Sequence, residues 1–294
     1  MPKRILLIET GGTICMRQGA QGLTPAEGVL ATAIGQMADD LQVTARRIGP
    51  LRDSAEMGPE AWNALLDLIE GWDGDGVLVT HGTDTMAYTG AALAAALPDP
   101  KRPVILCGSM APLGVPGGDA EGNLALALQA VRSPAAGYHL AFAGQVLPAG
   151  SLMKVHSRRD DAFRATGGGR RPPPPVARRF APRAVAVLTV TPGMGLASPA
   201  LAACLAGLDG AVLRVFGAGT IMQDAALVSV LAQAVQAGCL ILAISQCAEG
   251  GLEAGAYAAG AAIWAAGVEN GGDMTVEQAL AEVMLRSSAR PSRV

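Results

Sequence analysis

Seven short runs rich in β-branched residues and leucine alternate along this chain with longer alanine- and leucine-rich stretches, and that alternation restricts the fold more than any other feature. The runs are Ile5–Ile8, Val77–Thr80, Val104–Cys107, His139–Ala143, Val185–Val190, Ala211–Phe216 and Leu240–Ser245. Each is short enough for a strand and too short for a helix that packs on its own. Between them the apolar residues recur at helical spacing, which predicts helices over Pro59–Gly71, Ala87–Leu97, Asn123–Val131, Pro199–Leu205, Ala225–Ala237 and Val276–Leu285. Pro59 and Pro199 suit a first helical position, Ser198 an N-cap, and Thr275 with Gln278 a capping box. A chain that passes from strand to helix to strand builds a parallel sheet covered by helices, so the expected class is α/β.

At 294 residues the chain exceeds the usual domain of about 100 to 150 residues. Residues 166–183, "TGGGRRPPPPVARRFAPR", have no apolar period and carry a proline run that suits neither a helix interior nor a central strand. The expected division is therefore a domain over 1–165, a linker over 166–183 and a second domain over 184–294. The formal charge of −3 and an aromatic content of 3% speak against a nucleic-acid partner. No apolar stretch reaches the roughly 18 residues of a membrane helix without a break, and "MPKRILLIETGG" lacks the apolar core of a signal peptide. The five cysteines are odd in number, widely spaced and free of any C-x-x-C pair, and the three histidines are far apart. These patterns argue against a disulfide framework and a metal site, and fit a cytoplasmic protein with a small-molecule partner.

Two strand ends carry the chemistry. The first, "IETGGTI" at 8–14, stops in two glycines and a threonine. In an open parallel sheet ligands bind beyond the carboxyl ends of the strands, where the backbone turns sharply. Gly11 and Gly12 permit such a turn, and Thr13 presents a hydroxyl whose β-branch leaves it few rotamers. The plainer reading is a glycine turn with a capping threonine. The second stretch, "VLVTHGTDTM" at 77–86, repeats the arrangement with Gly82, Thr83 and Asp84, although Asp84 also suits an N-cap. A third strand end, "GAGT" at 217–220, shares the flavour. No G-x-S-x-G, G-x-x-x-x-G-K, G-x-G-x-x-G or H-E-x-x-H occurs, which leaves threonine chemistry.

"ETGGTI" and "VLVTHGTDTMAYT" together resemble the two signature segments of the bacterial L-asparaginase family, and the resemblance extends over nearly the whole chain. "LRDSAEM" at 51–57 is similar to the family's substrate-carboxylate loop, with Ser54 at the serine position. "SLMKVHSRRDDAF" at 151–163 is similar to its lysine segment, with Lys154 at the catalytic position. "SQCAEGGLEAGAY" and "GGDMTVEQAL" resemble the cytoplasmic, type I branch. The resemblance implies a larger N-terminal parallel-sheet domain, a smaller flavodoxin-like C-terminal α/β domain, and hydrolysis of L-asparagine to L-aspartate and ammonia without metal or organic cofactor.

By the same analogy Thr13 is the nucleophile, and Thr83, Asp84 and Lys154 form the second catalytic group. A threonine hydroxyl is a weak nucleophile that needs a neighbouring base. Lys154 fills that role if burial strips its proton, a change that Asp84 opposes; otherwise it stabilises developing negative charge, with backbone N–H groups near Gly12 and Thr83 as oxyanion donors. Ser54 would bind the substrate α-carboxylate and Asp84 its α-ammonium, with Gly12 and Gly82 lining the site. The family also implies a homodimer or homotetramer, and a second asparagine site that would use Arg214 and Cys247. Three positions depart from the pattern: Leu23 stands where the loop over 16–28 normally supplies a tyrosine, Ala55 follows Ser54, and Thr220 replaces an asparagine. Two other readings stand beside this one: a catalytically weakened amino-acid-binding protein on the same scaffold, to which the missing tyrosine points, and the amidase subunit of a tRNA-dependent amidotransferase, which belongs to the same family. The latter carries an additional N-terminal domain, whereas the first signature here begins at residue 9.

Overall fold

The computed structural model describes residues 2–19, 22–166, 177–253 and 258–291, and it divides into two compact units, Met1–Ala165 and Thr166–Val294. Residues 167–176 of the expected linker lie outside the described residues.

The first unit is built on a six-stranded sheet. β1 (Lys3–Gly11) is followed by a small antiparallel hairpin, β2 (Met16–Gly19) with β3 (Gly22–Pro25), then α1 (Val29–Met37) and β4 (Leu41–Arg52). α2 (Pro59–Gly71), β5 (Gly76–Thr80), α3 (Met86–Ala96), β6 (Pro103–Cys107), α4 (Ala120–Ala130), β7 (Gly137–Phe142) and β8 (Gln145–Pro148) complete the layers. The strand order is β4-β1-β5-β6-β7-β8, parallel throughout except for the β7–β8 hairpin. Every residue of β5 and β6 is buried, which is why these central strands read as unbroken apolar runs. β1 alternates between two layers. Ile5 and Leu7 join Leu30, Ile34, Leu124 and Leu128 in one core cluster.

The order of strands decides where a site can form. From β1 the chain goes to β4 on one side, then crosses to β5 on the other, so the sheet switches direction between β1 and β5. Connections that leave adjacent parallel strands in opposite directions open a crevice at the strands' carboxyl ends. Thr13 follows β1, Ser54 follows β4 and Thr83 follows β5. These three strands are neighbours.

The second unit holds a four-stranded parallel sheet in the order β11-β12-β13-β14, from β11 (Val185–Thr189), β12 (Gly210–Val215), β13 (Leu240–Ser245) and β14 (Glu269–Asn270). The intervening β9 (Leu152–Lys154) and β10 (Phe163–Ala165) form an antiparallel pair in the first unit. Helices α5 (Ser198–Ala206), α6 (Ala225–Gln236), α7 (Ala258–Ala265) and α8 (Val276–Ser288) cover the second sheet. Val212, Leu240, Leu242 and Ile244 pack with Ala279 and Val283 of α8, whereas Leu213, Val215, Ile241 and Ala243 pack with Leu201, Leu227 and Leu231 of α5 and α6.

Thr275 and Gln278 form the expected capping box at α8, and Pro59 occupies the first turn of α2. Ser198 does not cap α5. Its backbone is already helical, and its hydroxyl donates to the Gly195 carbonyl at 2.7 Å, so Ala197 takes the cap position. Asp84 does not cap α3 either, because the helix starts one residue later, after Thr85. No described helix is long and apolar enough to cross a membrane.

Candidate active site

Gly12, Gly82 and Ser54 meet through main-chain and Cβ atoms. A Cβ on Gly12 would lie 2.4 Å from the Gly82 nitrogen, and a Cβ on Gly82 would lie 2.7 Å from both Cβ and Oγ of Ser54. Only glycine fits either position, and the φ of 84° at Gly12 is itself one that other residues rarely adopt. Hydrogen bonds fasten the same three loops. The Gly12 N–H donates to the Arg52 carbonyl at 3.2 Å, and the Thr85 hydroxyl donates to the Ser54 carbonyl at 2.6 Å. Thr10 Oγ1 donates to the Thr80 carbonyl at 2.8 Å, tying the ends of β1 and β5 together just before they turn.

Beyond this junction Thr13 opens a 3-10 turn over Thr13–Cys15, and Ser54 opens another over Ser54–Glu56. The Asp53 carboxylate accepts the Ala55 N–H at 2.8 Å and so sets the second turn. Ser54 and Thr83 are buried, Thr13 is partly exposed and Asp84 is exposed.

Lys154 arrives from the opposite direction. Gly90 on α3 brings its backbone against the Ala149 carbonyl, where a Cβ would stand only 2.3 Å away. β9 then lies against α3 and ends at Lys154. The Lys154 ammonium donates to Thr83 Oγ1 at 2.8 Å and to Asp84 Oδ1 at 2.7 Å. Its side chain is 14% exposed and that of Asp84 73%. With the Thr83 oxygen accepting from the lysine, the hydroxyl proton of Thr83 is left to point elsewhere, towards a water or a substrate atom.

The cysteines nearest these loops are poor nucleophiles. Burial, with Glu9 nearby, pushes the Cys15 thiol up to about 11, and burial pushes Cys107 up to about 12. Both remain protonated at neutral pH. Among the described residues no group of three or more His, Cys, Asp or Glu side chains is placed to hold a metal ion.

The structure therefore brings Thr13, Ser54, Gly12, Gly82, Thr83, Asp84 and Lys154 to one edge of one sheet. The segment expected as a loop over 16–28 is the β2–β3 hairpin, with residues 20 and 21 outside the described residues, and Leu23 stands on β3, 45% exposed. Arg214 and Cys247 lie in the second unit. Arg214 Nη2 donates to the Gln246 carbonyl at 3.3 Å, and Cys247 follows directly with its N–H on Ser245 Oγ at 3.0 Å. Sequence reasoning missed Thr85, which had only a helix start to its credit. Its partner Ser54 is 31 residues away, and no local pattern announces such a bond.

An open parallel sheet with paired threonine loops at its switch point, one of them held by a lysine, belongs to a defined class. The chain is a member of the asparaginase family: the family's N-terminal asparaginase model matches residues 4–171, and its glutaminase/asparaginase C-terminal domain model matches residues 184–292. L-asparaginase 1 of Escherichia coli strain K12 is 32% identical over 96% of this chain and 90% of its own length. The solved structure of the thermostable L-asparaginase from Thermococcus kodakarensis superposes with a TM-score of 0.85 at 29% identity, covering 97% of this chain and 93% of that one. A probable cytoplasmic L-asparaginase from Campylobacter jejuni gives 0.77 at 26% identity, covering 97% and 94%.

Proposed function

We propose that this protein is an amidohydrolase that converts L-asparagine and water to L-aspartate and ammonia through a threonine nucleophile. The observation that carries the reading is the Lys154 ammonium shared between the Thr83 hydroxyl and the Asp84 carboxylate, on the loop locked to that of Thr13. Thr13 Oγ attacks the side-chain amide carbon, and the backbone N–H of Thr83, with others near Gly12, takes the developing negative charge. The proton given up by the Thr13 hydroxyl passes to the amide nitrogen, the C–N bond breaks and ammonia leaves, with the acyl group esterified to Thr13. Water, oriented by Thr83 and Lys154, then cleaves the ester on Thr13 and releases aspartate. The Ser54 hydroxyl donates to the α-carboxylate. The outer oxygen of Asp84 accepts from the α-ammonium, which makes the site selective for free amino acids.

The same reading takes the protein to be cytoplasmic and a homodimer or homotetramer. It keeps Arg214 and Cys247 as remnants of an effector site, weakened because Thr220 lacks the amide of the asparagine it replaces; a Hill coefficient well above one for asparagine would contradict that weakening. The decisive experiment is ammonia release from asparagine, glutamine, their D-isomers and asparagine-containing short peptide amides, with Thr13→Ala beside wild type. Turnover of free L-asparagine that disappears in the variant supports the reading. An inactive wild type, or a variant that keeps more than a small fraction of kcat, refutes it.

A further inference from the structure

His81 separates β5 from the Gly82–Thr83–Asp84 segment, and it is fully buried. Both ring nitrogens are engaged. Nδ1 lies 2.7 Å from the Gly82 carbonyl oxygen, and Nε2 lies 2.8 Å from Thr89 Oγ1 on α3. Trp62 Nε1, on α2, donates to the same Thr89 hydroxyl at 3.0 Å.

These contacts fix every proton in the chain of bonds. A carbonyl oxygen only accepts, so Nδ1 carries the hydrogen. A neutral imidazole has one N–H, so Nε2 accepts and the Thr89 hydroxyl must donate to it. The Thr89 oxygen then meets the indole N–H with a lone pair. Burial keeps the ring neutral by pulling its pKa down to about 4, so the pattern persists at physiological pH.

We propose that His81 is a positioning residue for the reaction, its Nδ1–H holding and polarising the Gly82–Thr83 peptide from behind. The inference rests on the amidohydrolase reading and deepens it. A carbonyl that accepts a hydrogen bond makes the N–H of the same peptide a stronger donor, and bonds in series reinforce one another. That N–H belongs to Thr83, one of the oxyanion donors. The same peptide also carries the Thr83 hydroxyl to Lys154, and the residue that supplies its carbonyl, Gly82, lies with its own nitrogen and Cα against Gly12. An imidazole suits the place because it offers a donor and an acceptor on opposite sides of one flat, short side chain.

The test has two arms. In protein labelled with 15N-histidine, only three imidazoles report. His81 should show the Nδ1–H tautomer and no titration between pH 5 and 8. An Nε2–H tautomer, or titration in that range, overturns the proposal and requires no activity. In the kinetic arm, His81→Leu should lower kcat for asparagine about five- to tenfold, the worth of one lost hydrogen bond, with KM changed less than twofold. His81→Asn, whose amide N–H takes the place of Nδ1–H, should recover most of that loss. His81→Gln, whose amide reaches only towards Thr89, should not. Equal losses in all three variants, or a change confined to KM, would mean that the ring merely fills space, and the proposal falls. If wild type releases no ammonia the functional reading fails separately, and the tautomer still decides whether the hydrogen-bond pattern exists. Should His81→Leu not fold, the Asn and Gln pair gives the same comparison.

Discussion

Replacing Lys154 with methionine should separate catalysis from stability, because of where the two partners of the lysine sit. Methionine keeps most of the aliphatic stem, so packing changes little. Asp84 loses its cation, but with its side chain 73% exposed the carboxylate is left in water rather than stranded. A screened pair of this kind contributes about 0 to 1 kcal/mol. The lost bond to buried Thr83 adds about 1 kcal/mol. The whole cost is then about 2 kcal/mol at most, and at roughly 2 to 4 °C per kcal/mol for a unit of this size the melting temperature should fall by less than about 8 °C. Turnover should fall far more, by the roughly 10²- to 10³-fold typical of losing a preorganised donor that stabilises charge in the transition state. Circular dichroism melts and an enzyme-coupled ammonia assay on the same preparations measure both quantities. Two results would sink the argument: kcat reduced less than tenfold, or activity that merely tracks the folded fraction of a severely destabilised variant.

Gly82→Ala should raise KM more than it lowers kcat and cost about 1 to 3 kcal/mol in denaturant unfolding, since its new Cβ would press on Ser54 at 2.7 Å; wild-type KM with unchanged stability would show that the loops are not in such contact. Acid titration of stability offers another check. The folded His81 ring stays neutral down to about pH 4, whereas the unfolded ring takes up its proton near the ordinary 6.5. Stability contributed above pH 6.5 is therefore lost as pH falls through this window, and at about 1.4 kcal/mol per pH unit the loss approaches 3 kcal/mol. Measured by urea unfolding from pH 7 to 4, wild type should lose about that much relative to His81→Asn, and parallel curves for the two proteins would refute it.

How much of this molecule can be read from its sequence depends on whether the stabilising pattern is local. β5, β6 and β13 are visible because strands buried on both faces must be apolar throughout. β4 is longer than any of them, yet nothing in "LQVTARRIGPLR" marks it as a strand. It lies at the sheet edge, tolerates Pro50 and three arginines, and alternates poorly. α1 escapes notice for another reason: Gly28 at its start offers no capping side chain. The site divides in the same way. Thr13, Thr83 and Asp84 stand out through repeated strand-end motifs, and Ser54 and Lys154 only through resemblance to relatives. Lys154 reaches Thr83 across 71 residues by way of the Gly90–Ala149 approach, which depends on tertiary packing alone.

The meeting of Gly12 and Gly82 through backbone atoms, with Gly82 pressed against the short side chain of Ser54, also governs how such a protein can change over time. Loops held apart by side chains can drift, each replacement moving one of them slightly. Loops that already touch at the backbone have no spacer to shorten, and any enlargement displaces all three together. The centre is consequently closed to gradual adjustment. Variation has to enter from the periphery, through exposed Ala55 and the β2–β3 hairpin with its outward Leu23, where a new side chain can be added while the threonines stay in place. Libraries aimed at altered amide preference would do best to randomise those surrounding positions and leave the glycines untouched.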